Sequence, residues 1–288
     1  MTSPTSAHPS WEGGAWGERA VCVLCPNPSP MTLDGTNTWV LAEPGSDEVV
    51  VVDPGPLDEG HLQAVLDHVA QRGARVALTL LTHSHLDHAE AAERWAELTG
   101  APVRGAGRGE VLADGEVLRV GGLELVVVAT PGHTADSVSF LLPAERLLLT
   151  GDTILGRGTT VVAYPDGDLT SYLDSMERLA ELSREDKVSA LAPGHGPVVE
   201  DAAATIEHYL THRHERLDQV RAALAELGDL GELDDLDGLN EMDGGAGAGD
   251  GKDLADRVVE RVYADVPRAV WPAARQSVLA QLDYLGEV

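Results

Sequence analysis

The sequence is poor in lysine and in aromatic residues, and both shortages narrow the class of protein. Lys187 and Lys252 are its only lysines, and the formal net charge is −28. A surface this acidic repels polyanions, which disfavours both nucleic acid and an anionic membrane as partners, and we expect no membrane partner. Aromatic residues make up only 4%, with Phe140 as the single phenylalanine, so Val, Leu and Ala must build the core that a hydrophobic content of 43% allows.

Cysteines and long apolar runs are also scarce. Cys22 and Cys25 are the only cysteines, too few for a disulfide framework or for a structural zinc site with four cysteine ligands. We interpret them as two half-buried thiols. The N-terminus lacks the basic and apolar segments of a secretory signal, and no run approaches the roughly 18 apolar residues of a membrane helix. We therefore expect a cytoplasmic protein. The residue usage is typical of a GC-rich bacterial genome.

Short β-branched runs alternate with helical patterns between residues 20 and 200. The predicted strands are 21–24, 37–42, 48–52, 76–81, 117–120, 123–129, 138–142, 146–150 and 188–192. The predicted helices are 57–72, 89–99 and 169–182. Short strands mixed with hairpins and helices favour an α/β sandwich, with two sheets inside and helices outside.

The two ends of the chain differ in character from this central part. Residues 1–19 are rich in Ser, Pro and Gly and are predicted to form a flexible tail. Residues 201–288 carry only helical patterns, including one long amphipathic helix after residue 201 and two further helices beyond residue 253. Between these helices, residues 228–252 are rich in Gly and Asp and predict an acidic linker. We therefore predict a catalytic domain at 20–200 and a helical domain at 201–288.

The segment THSHLDH at 82–88 concentrates three histidines and an aspartate directly after a predicted strand. Three further segments place a histidine or aspartate after a strand: TPGHT at 130–134, TGDT at 150–153 and PGHG at 193–196. Each segment alone could be an ordinary turn. Together they supply five histidines and two aspartates at strand ends, where functional sites are commonly assembled. Imidazole and carboxylate suit zinc, and this set is large enough for two ions.

The pattern H-x-H-x-D-H, followed by separate His, Asp and His, resembles the metallo-β-lactamase superfamily. The resemblance implies a four-layer αββα sandwich over about residues 20–200. It implies one metal site from His83, His85 and His133, a second from Asp87, His88 and His195, and Asp152 as the bridge between them. The cofactors are then two divalent metal ions, with zinc as the default and manganese or iron as alternatives.

A narrower resemblance covers NPSPMTLDGTNTWV (27–40), VVDPG (51–55), GDTILGRGTTVV (151–162), APGHGPVVED (192–201) and HYLTHRHERLDQV (208–220). These segments are similar to the β-lactamase-like protein 2 group. That group implies a small C-terminal helical, winged-helix-like domain, which suits residues 254–288. The N-terminal tail and the acidic linker depart from its pattern.

Two aspartates are the candidate catalytic residues. We expect a metal-bridging hydroxide to attack a carbonyl or phosphoryl centre, with Asp87 as both a ligand and the group that orients the nucleophile. Asp53, in VVDPG, is a candidate acceptor that fixes a ligand histidine. Its alternative is an aspartate that forms a turn before Pro54.

Substrate contacts are less defined by the sequence. Thr159, Thr160 and Arg213 are candidates, and Arg213 and Arg216 could equally lie on a solvated helix face. The remaining histidines are interpreted as exposed or hydrogen-bonded side chains, with His212 left open as a further ligand: His8, His61, His68, His208, His212 and His214.

Several functions remain open on this fold. β-Lactamase activity is disfavoured because neither cysteine lies in a motif, and no glutathione-binding region is recognised for a glyoxalase II-type thioesterase. Iron-dependent oxidoreductases share the fold, but the complete ligand set favours hydrolysis. The expected substrate is a small-molecule ester or thioester, with a single-stranded RNA endoribonuclease as the alternative. A metal-stabilised binding protein that uses its acidic segment is the alternative outside enzymes.

Overall fold

The computed structural model describes residues 10–162, 164–229 and 253–287. Its strands are β1 Gly14–Trp16, β2 Ala20–Leu24, β3 Asn37–Leu41, β4 Glu48–Val52, β5 Arg75–Leu80, β6 Val103–Arg104, β7 Val117–Val120, β8 Leu123–Ala129, β9 Val138–Leu142, β10 Leu147–Gly151 and β11 Ala190–Pro193. Its α-helices are α1 Glu59–Gln71, α2 Leu86–Ala89, α3 Ala92–Thr99, α4 Leu169–Arg184, α5 Ala202–Asp229, α6 Leu254–Val262 and α7 Trp271–Leu285.

The strands form two mixed sheets. The first has the order β1-β2-β3-β4-β5-β6, and the second has the order β11-β10-β9-β8-β7. β4, β5 and β6 are parallel neighbours, and so are β10 and β11, whereas the other neighbours are antiparallel. Two sheets with flanking helices form the predicted αββα sandwich, and a helical region follows it at the C-terminus.

Alternating side chains from both sheets meet in one core. Trp39, Leu80, Leu125, Phe140 and Leu149 are buried members of this cluster. The opposite face of the first sheet packs on α1 and α3 through a second cluster that includes Val51, Leu62 and Trp95. This arrangement explains why β4 is an uninterrupted valine run, since both of its faces are covered.

We predict that Phe140→Ala lowers the free energy of unfolding by about 3–5 kcal/mol, because it removes a large side chain from a close-packed interior. Phe140 is fully buried in the core between the sheets. Urea denaturation of the two proteins measures the effect. Val111→Ala is the matched control, since Val111 is 86% exposed and should change stability by less than about 0.5 kcal/mol. A Phe140→Ala effect as small as that of the control would contradict the packing.

Contacts divide the chain into two compact units. The first contains Met1–Thr130, Asp136–Thr160 and Glu181–Ala203, and the second contains Pro131–Ala135, Val161–Ala180 and Ala204–Val288. In the second unit, α5, α6 and α7 pack through a cluster that includes Val220, Leu227, Val258, Val278 and Leu282. The predicted domain boundaries at residues 20 and 200 stay predictions.

Three local predictions need correction. Residues 14–16 of the predicted tail form β1, which pairs with β2 because Gly17 takes a positive φ of 61° and permits a tight turn. The predicted helix 89–99 begins only at Ala92, because a short helix, Leu86–Ala89, ends before it. Between the two helices, Gly55 N–H donates to His88 O and Gly55 O accepts from Ala91 N–H. The predicted linker begins too early, because α5 continues to Asp229. The rest of that linker, 230–252, lies outside the described residues, as does the tail before residue 10.

The two cysteines are fully buried rather than half-buried. Burial raises the pKa of both thiols, in the case of Cys25 to about 12. Because the reactive form is the thiolate, we predict that the native protein resists a thiol reagent such as Ellman's reagent at pH 8. After denaturation both thiols should react. Rapid labelling of either cysteine in the native protein would contradict this prediction.

Candidate metal centre

The candidate ligands lie at the carboxyl ends of parallel strands from both sheets. β5 ends before Thr82 and leads into the segment that carries His83, while β10 and β11 end next to Asp152 and His195. Carboxyl ends of parallel neighbours meet at one edge of a sheet, which makes this edge the usual location for a site. The sequence pattern therefore folds into one cluster because of the topology.

Asp87, His88, Asp152 and His195 surround one point in the first unit. His88 Nε2 lies 3.2 Å from His195 Nε2 and 3.4 Å from Asp152 Oδ1. His195 Nε2 lies 3.1 Å from Asp87 Oδ2 and 3.4 Å from Asp152 Oδ2. Two groups of ligand atoms, one from Asp87, His88 and His195 and one from His83, His88 and Asp152, each lie within 4.8 Å. The two groups share His88.

Hydrogen bonds to Nδ1, the ring nitrogen that faces away from the cluster, fix the orientation of two imidazoles. His88 Nδ1 donates to Asp53 Oδ2 at 2.9 Å, and His195 Nδ1 donates to Gly35 O at 3.1 Å. Both acceptors lack a proton of their own, so each Nδ1 must carry one. The lone pair of each neutral ring is then on Nε2, which faces the cluster. This is the tautomer that binds a metal ion.

His83 is held in the same way, through Thr82. The Thr82 hydroxyl lies 2.7 Å from Asp53 Oδ2 and 3.0 Å from His83 Nδ1. Its single proton goes to the carboxylate, so it accepts a hydrogen bond from His83 Nδ1. The Nε2 atom of His83 is consequently a lone-pair donor. Asp53 therefore orients His88 directly and His83 through one hydroxyl.

Asp53 is held in an unusual backbone conformation. Its φ is 53°, a region that costs a non-glycine residue on the order of 1–3 kcal/mol. Its N–H donates to Leu80 O, and Oδ1 accepts the Thr82 N–H at 2.8 Å. The side chain is buried at the end of β4. Asp53 thus accepts a hydrogen bond from His88, a candidate ligand, in the buried position described above, and its catalytic role stays a prediction.

The buried histidines and aspartates of the cluster shift one another's pKa values. Burial lowers the pKa of His195, but the neighbouring Asp152 outweighs it and raises that pKa to about 9. Burial likewise opposes charge on Asp152, yet His195 and His88 hold the pKa of this carboxyl well below its usual range. These neighbours therefore favour Asp152 as a carboxylate, which is the form that ligates a cation.

The donor set fits divalent metal ions. His88 Nε2 faces one imidazole nitrogen and two carboxylates, and it can supply at most one proton to them. Without a metal, protons on the two rings pair with these carboxylates, and a divalent cation would replace those protons. The mixture of imidazole and carboxylate suits zinc, manganese and iron.

The remaining predicted ligands are His85 and His133. His85 is half-buried, and its Nδ1 lies 3.1 Å from His83 Nε2. His133 is buried in the second unit, where its Nδ1 lies 2.5 Å from Val161 O. This contact also leaves Nε2 as the ligating atom. The role of His133 as a metal ligand stays a prediction.

The substrate-contact candidates have mixed surroundings. Thr160 is buried and Thr159 is half-buried, and their role in binding stays a prediction. Arg213 is only 3% exposed and stacks on the Tyr172 ring, with its guanidinium carbon 4.8 Å from the ring centre. Arg216 is half-buried and donates to Val262 O at 2.9 Å. The alternative of a solvated helix face is therefore wrong for Arg213.

The surroundings of His212 do not favour a cation. It is half-buried on α5, and burial together with Arg213 and Arg216 lowers its pKa to about 4. In the described residues it belongs to none of the clusters of three or more potential ligands. The nearby positive charges also oppose a cation.

Sequence reasoning predicted the acceptor Asp53 but missed the Gly35 carbonyl and the Thr82 hydroxyl, which also hydrogen-bond candidate ligands. Gly35 contributes a backbone carbonyl, which carries no residue signature at all. Thr82 adjoins the recognised motif, and its role follows only from its distance to Asp53. A threonine immediately before the motif was the one available signal.

Comparison with known proteins identifies the family of this chain. The model of the metallo-beta-lactamase superfamily matches residues 31–112 and 105–195, which hold every predicted ligand. The chain belongs to this superfamily. It is a metallo-β-lactamase superfamily hydrolase with a His/Asp cluster of the metal-binding type. Residues 255–287 also match the beta-lactamase associated winged helix domain, in agreement with the predicted C-terminal region.

Curated members of the superfamily are similar over most of the chain. The beta-lactamase-like protein 2 homolog of Caenorhabditis elegans is 30% identical over 268 residues, which are 89% of this chain and 80% of that protein. The atrochrysone carboxyl ACP thioesterase of Aspergillus fumigatus is 34% identical over 214 residues, which are 72% of this chain and 65% of that protein.

A solved structure shows the same fold. The beta-lactamase domain protein from Burkholderia ambifaria has a TM-score of 0.73 and 19% identity, and covers 99% of this chain and 93% of that chain. Within the described residues, this superfamily member has no helix that is long and apolar enough to cross a membrane.

Proposed function

We propose that the protein hydrolyses a small-molecule ester or thioester with two divalent metal ions, of which zinc is the expected identity. The observation that carries the proposal is the cluster of Asp87, His88, Asp152 and His195, with its Nε2 atoms directed inward. His83 is held in the same orientation from Thr82. When bound, the ions would lower the pKa of water toward neutrality and stabilise charge on a carbonyl oxygen.

The residues of the cluster differ in their exposure to an incoming water or substrate. His88 and His195 are fully buried, whereas the Asp87 side chain is 31% exposed. Asp87 is therefore the group of this cluster that an incoming water or substrate can reach. Its carboxylate would accept a hydrogen bond from the attacking water and orient it toward the acyl carbon.

A thioester suits such a site because its leaving group is weakly basic. Water adds to the acyl carbon, the carbon–sulfur bond breaks, and the products are a carboxylic acid and a thiol. A thiol has a pKa of about 8.5, so it departs as a thiolate without a strong general acid. The similarity to a protein named as an ACP thioesterase supports this substrate class.

The charge of the protein disfavours RNA as the substrate. Binding an RNA backbone requires several Lys or Arg contacts to phosphate, whereas this chain has a net charge of −28. Among the basic candidates, Arg213 is buried against Tyr172. A neutral or weakly charged small molecule avoids this repulsion.

The test is hydrolysis by the metal-loaded protein of acyl-pantetheine thioesters, p-nitrophenyl esters and a labelled single-stranded RNA. The control is the double variant Asp87→Ala, His88→Ala. We expect turnover of a thioester or ester that the control lacks. RNA cleavage lost in the control would replace the proposed substrate class by a nuclease. No turnover of any of these substrates, together with metal binding, would favour a metal-stabilised binding protein.

Metal identity is tested on the same protein. Metal content is measured by mass spectrometry, and the chelated protein is reloaded with zinc, manganese or iron(II). Two equivalents of zinc that restore turnover would support the proposal. One equivalent, or restoration by iron alone, would contradict it.

A further inference from the structure

A buried histidine lies behind Asp53, outside the ligand set. His61 is on α1 and only 2% exposed, and its Nε2 lies 2.8 Å from the Thr38 hydroxyl. The same hydroxyl donates to Asp53 O at 2.6 Å. These contacts connect an imidazole on a helix to the aspartate that orients two ligand histidines.

The donors and acceptors of this chain fix the state of His61. The Thr38 hydroxyl has one proton, and Asp53 O can only accept it. The hydroxyl therefore accepts a hydrogen bond from His61, so His61 carries its proton on Nε2. Burial lowers the pKa of His61 to about 4, which keeps the ring neutral at pH 7.

In a purely structural role, His61 would lower the stability of the fold relative to an apolar residue. Within the described residues, its buried Nδ1 makes no hydrogen bond, and burial of an unpaired polar atom is unfavourable. A leucine would fill this position without that cost. The hydrogen bond from His61 Nε2–H to the Thr38 hydroxyl would explain why a histidine occupies this position.

This hydrogen bond would act on the conformation of Asp53, to which the Thr38 hydroxyl donates. Its backbone has a positive φ, and its carboxylate must reach His88 Nδ1, Thr82 N and the Thr82 hydroxyl at once. A conformation of this kind persists only when several contacts determine it together. The hydrogen bond from Thr38 holds the carbonyl of the same residue.

We propose that His61 is a positioning residue of the metal centre, acting through the Thr38 hydroxyl and Asp53 on His88 and His83. The inference rests on the proposed function, because it assumes that the cluster binds metal. It assigns a role to a histidine that touches neither substrate nor ligand.

The test compares metal affinity among variants, measured by competition with a chromophoric chelator. Thr38→Val removes the hydroxyl, and His61→Leu removes the ring. Each should weaken metal binding about tenfold, the lower end of the range for partners of ligand residues. Because both act through one chain of hydrogen bonds, the double variant should lose no more than either single variant.

Conservative variants separate positioning from general stability. Thr38→Ser keeps the hydroxyl, and His61→Gln keeps an N–H near the position of Nε2, so both should retain the wild-type affinity. His68→Leu, on the same helix, is the matched control and should also retain it. Unchanged affinity in Thr38→Val and His61→Leu would overturn the inference, as would losses that add in the double variant.

A measurement on the wild type tests the inference even if the variants fail to fold. Nitrogen-15 NMR of the histidine rings should show His61 as the neutral Nε2–H tautomer at pH 7, and an Nδ1–H tautomer would overturn the inference. Failure of the proposed function looks different, since the wild type would then bind no metal or would bind it without hydrolysis.

Discussion

Asp152→Asn should abolish most of the hydrolysis, with a loss on the order of 10³-fold, as expected when one member of a preorganised charge-stabilising set is removed. The Asp152 carboxylate lies 3.4 Å from Nε2 of both His88 and His195. The amide has the same shape but no charge, and its NH₂ group would face imidazole nitrogens that are meant to bind cations. Steady-state kinetics and metal content measure the two effects.

The matched control for this variant is Asp67→Asn. Asp67 lies exposed on α1, where it accepts a hydrogen bond from Gln63 at 2.8 Å. The same chemical change there should leave both activity and metal content at the wild-type level. If Asp152→Asn kept its activity as well, Asp152 would not be a ligand.

Gly194→Ala should weaken metal binding strongly while the protein stays folded. A methyl group at this position would lie 2.6 Å from Asp152 Oδ1 and 2.6 Å from His88 Cε1. Neither neighbour can retreat easily, since Asp53 holds His88 and the backbone of Gly194 is hydrogen-bonded to Gly151 and Asn37. We expect metal affinity to fall by about 100-fold, the upper end of the range for changes next to the ligands.

Gly60→Ala controls for the loss of a glycine elsewhere. Gly60 lies in the first turn of α1, and a methyl group there meets only Asp58 Oδ1, at 3.2 Å. Alanine favours a helix by about 1 kcal/mol over glycine, so this variant should be slightly more stable with unchanged metal affinity. Circular dichroism checks the fold of both variants. Wild-type affinity in Gly194→Ala would show that the cluster is looser than its distances indicate.

The fold class and the clustering of the candidate ligands Asp87, His88, Asp152 and His195 were predictable because their signals are local. THSHLDH follows an apolar strand directly, and each remaining ligand follows a strand of its own. Strand-end positions in a parallel arrangement meet at one edge whatever the details of packing. The same locality made Asp53 visible, since it ends a valine-rich strand.

The corrections concern contacts between distant segments. Nothing near residue 90 indicates that Gly55 would hydrogen-bond His88 O and Ala91 N between two helices. The β1 strand depends on pairing with β2 across the turn at Gly17. His61 was treated as an ordinary histidine, because only the fold brings it to Thr38. Long-range hydrogen bonds of this kind have no sequence period.

The origin of the ligands in both sheets has a consequence for the lifetime of the protein. Asp87 and His88 follow β5 of one sheet, while Asp152 and His195 follow β10 and β11 of the other. An ion bound by all four residues would therefore link the two sheets of the sandwich. Binding of this kind stabilises the folded state by about 2.7 kcal/mol when the free metal exceeds its dissociation constant 100-fold. Starvation for metal would thus expose the chain to proteolysis, and the cell would lose the protein along with its activity.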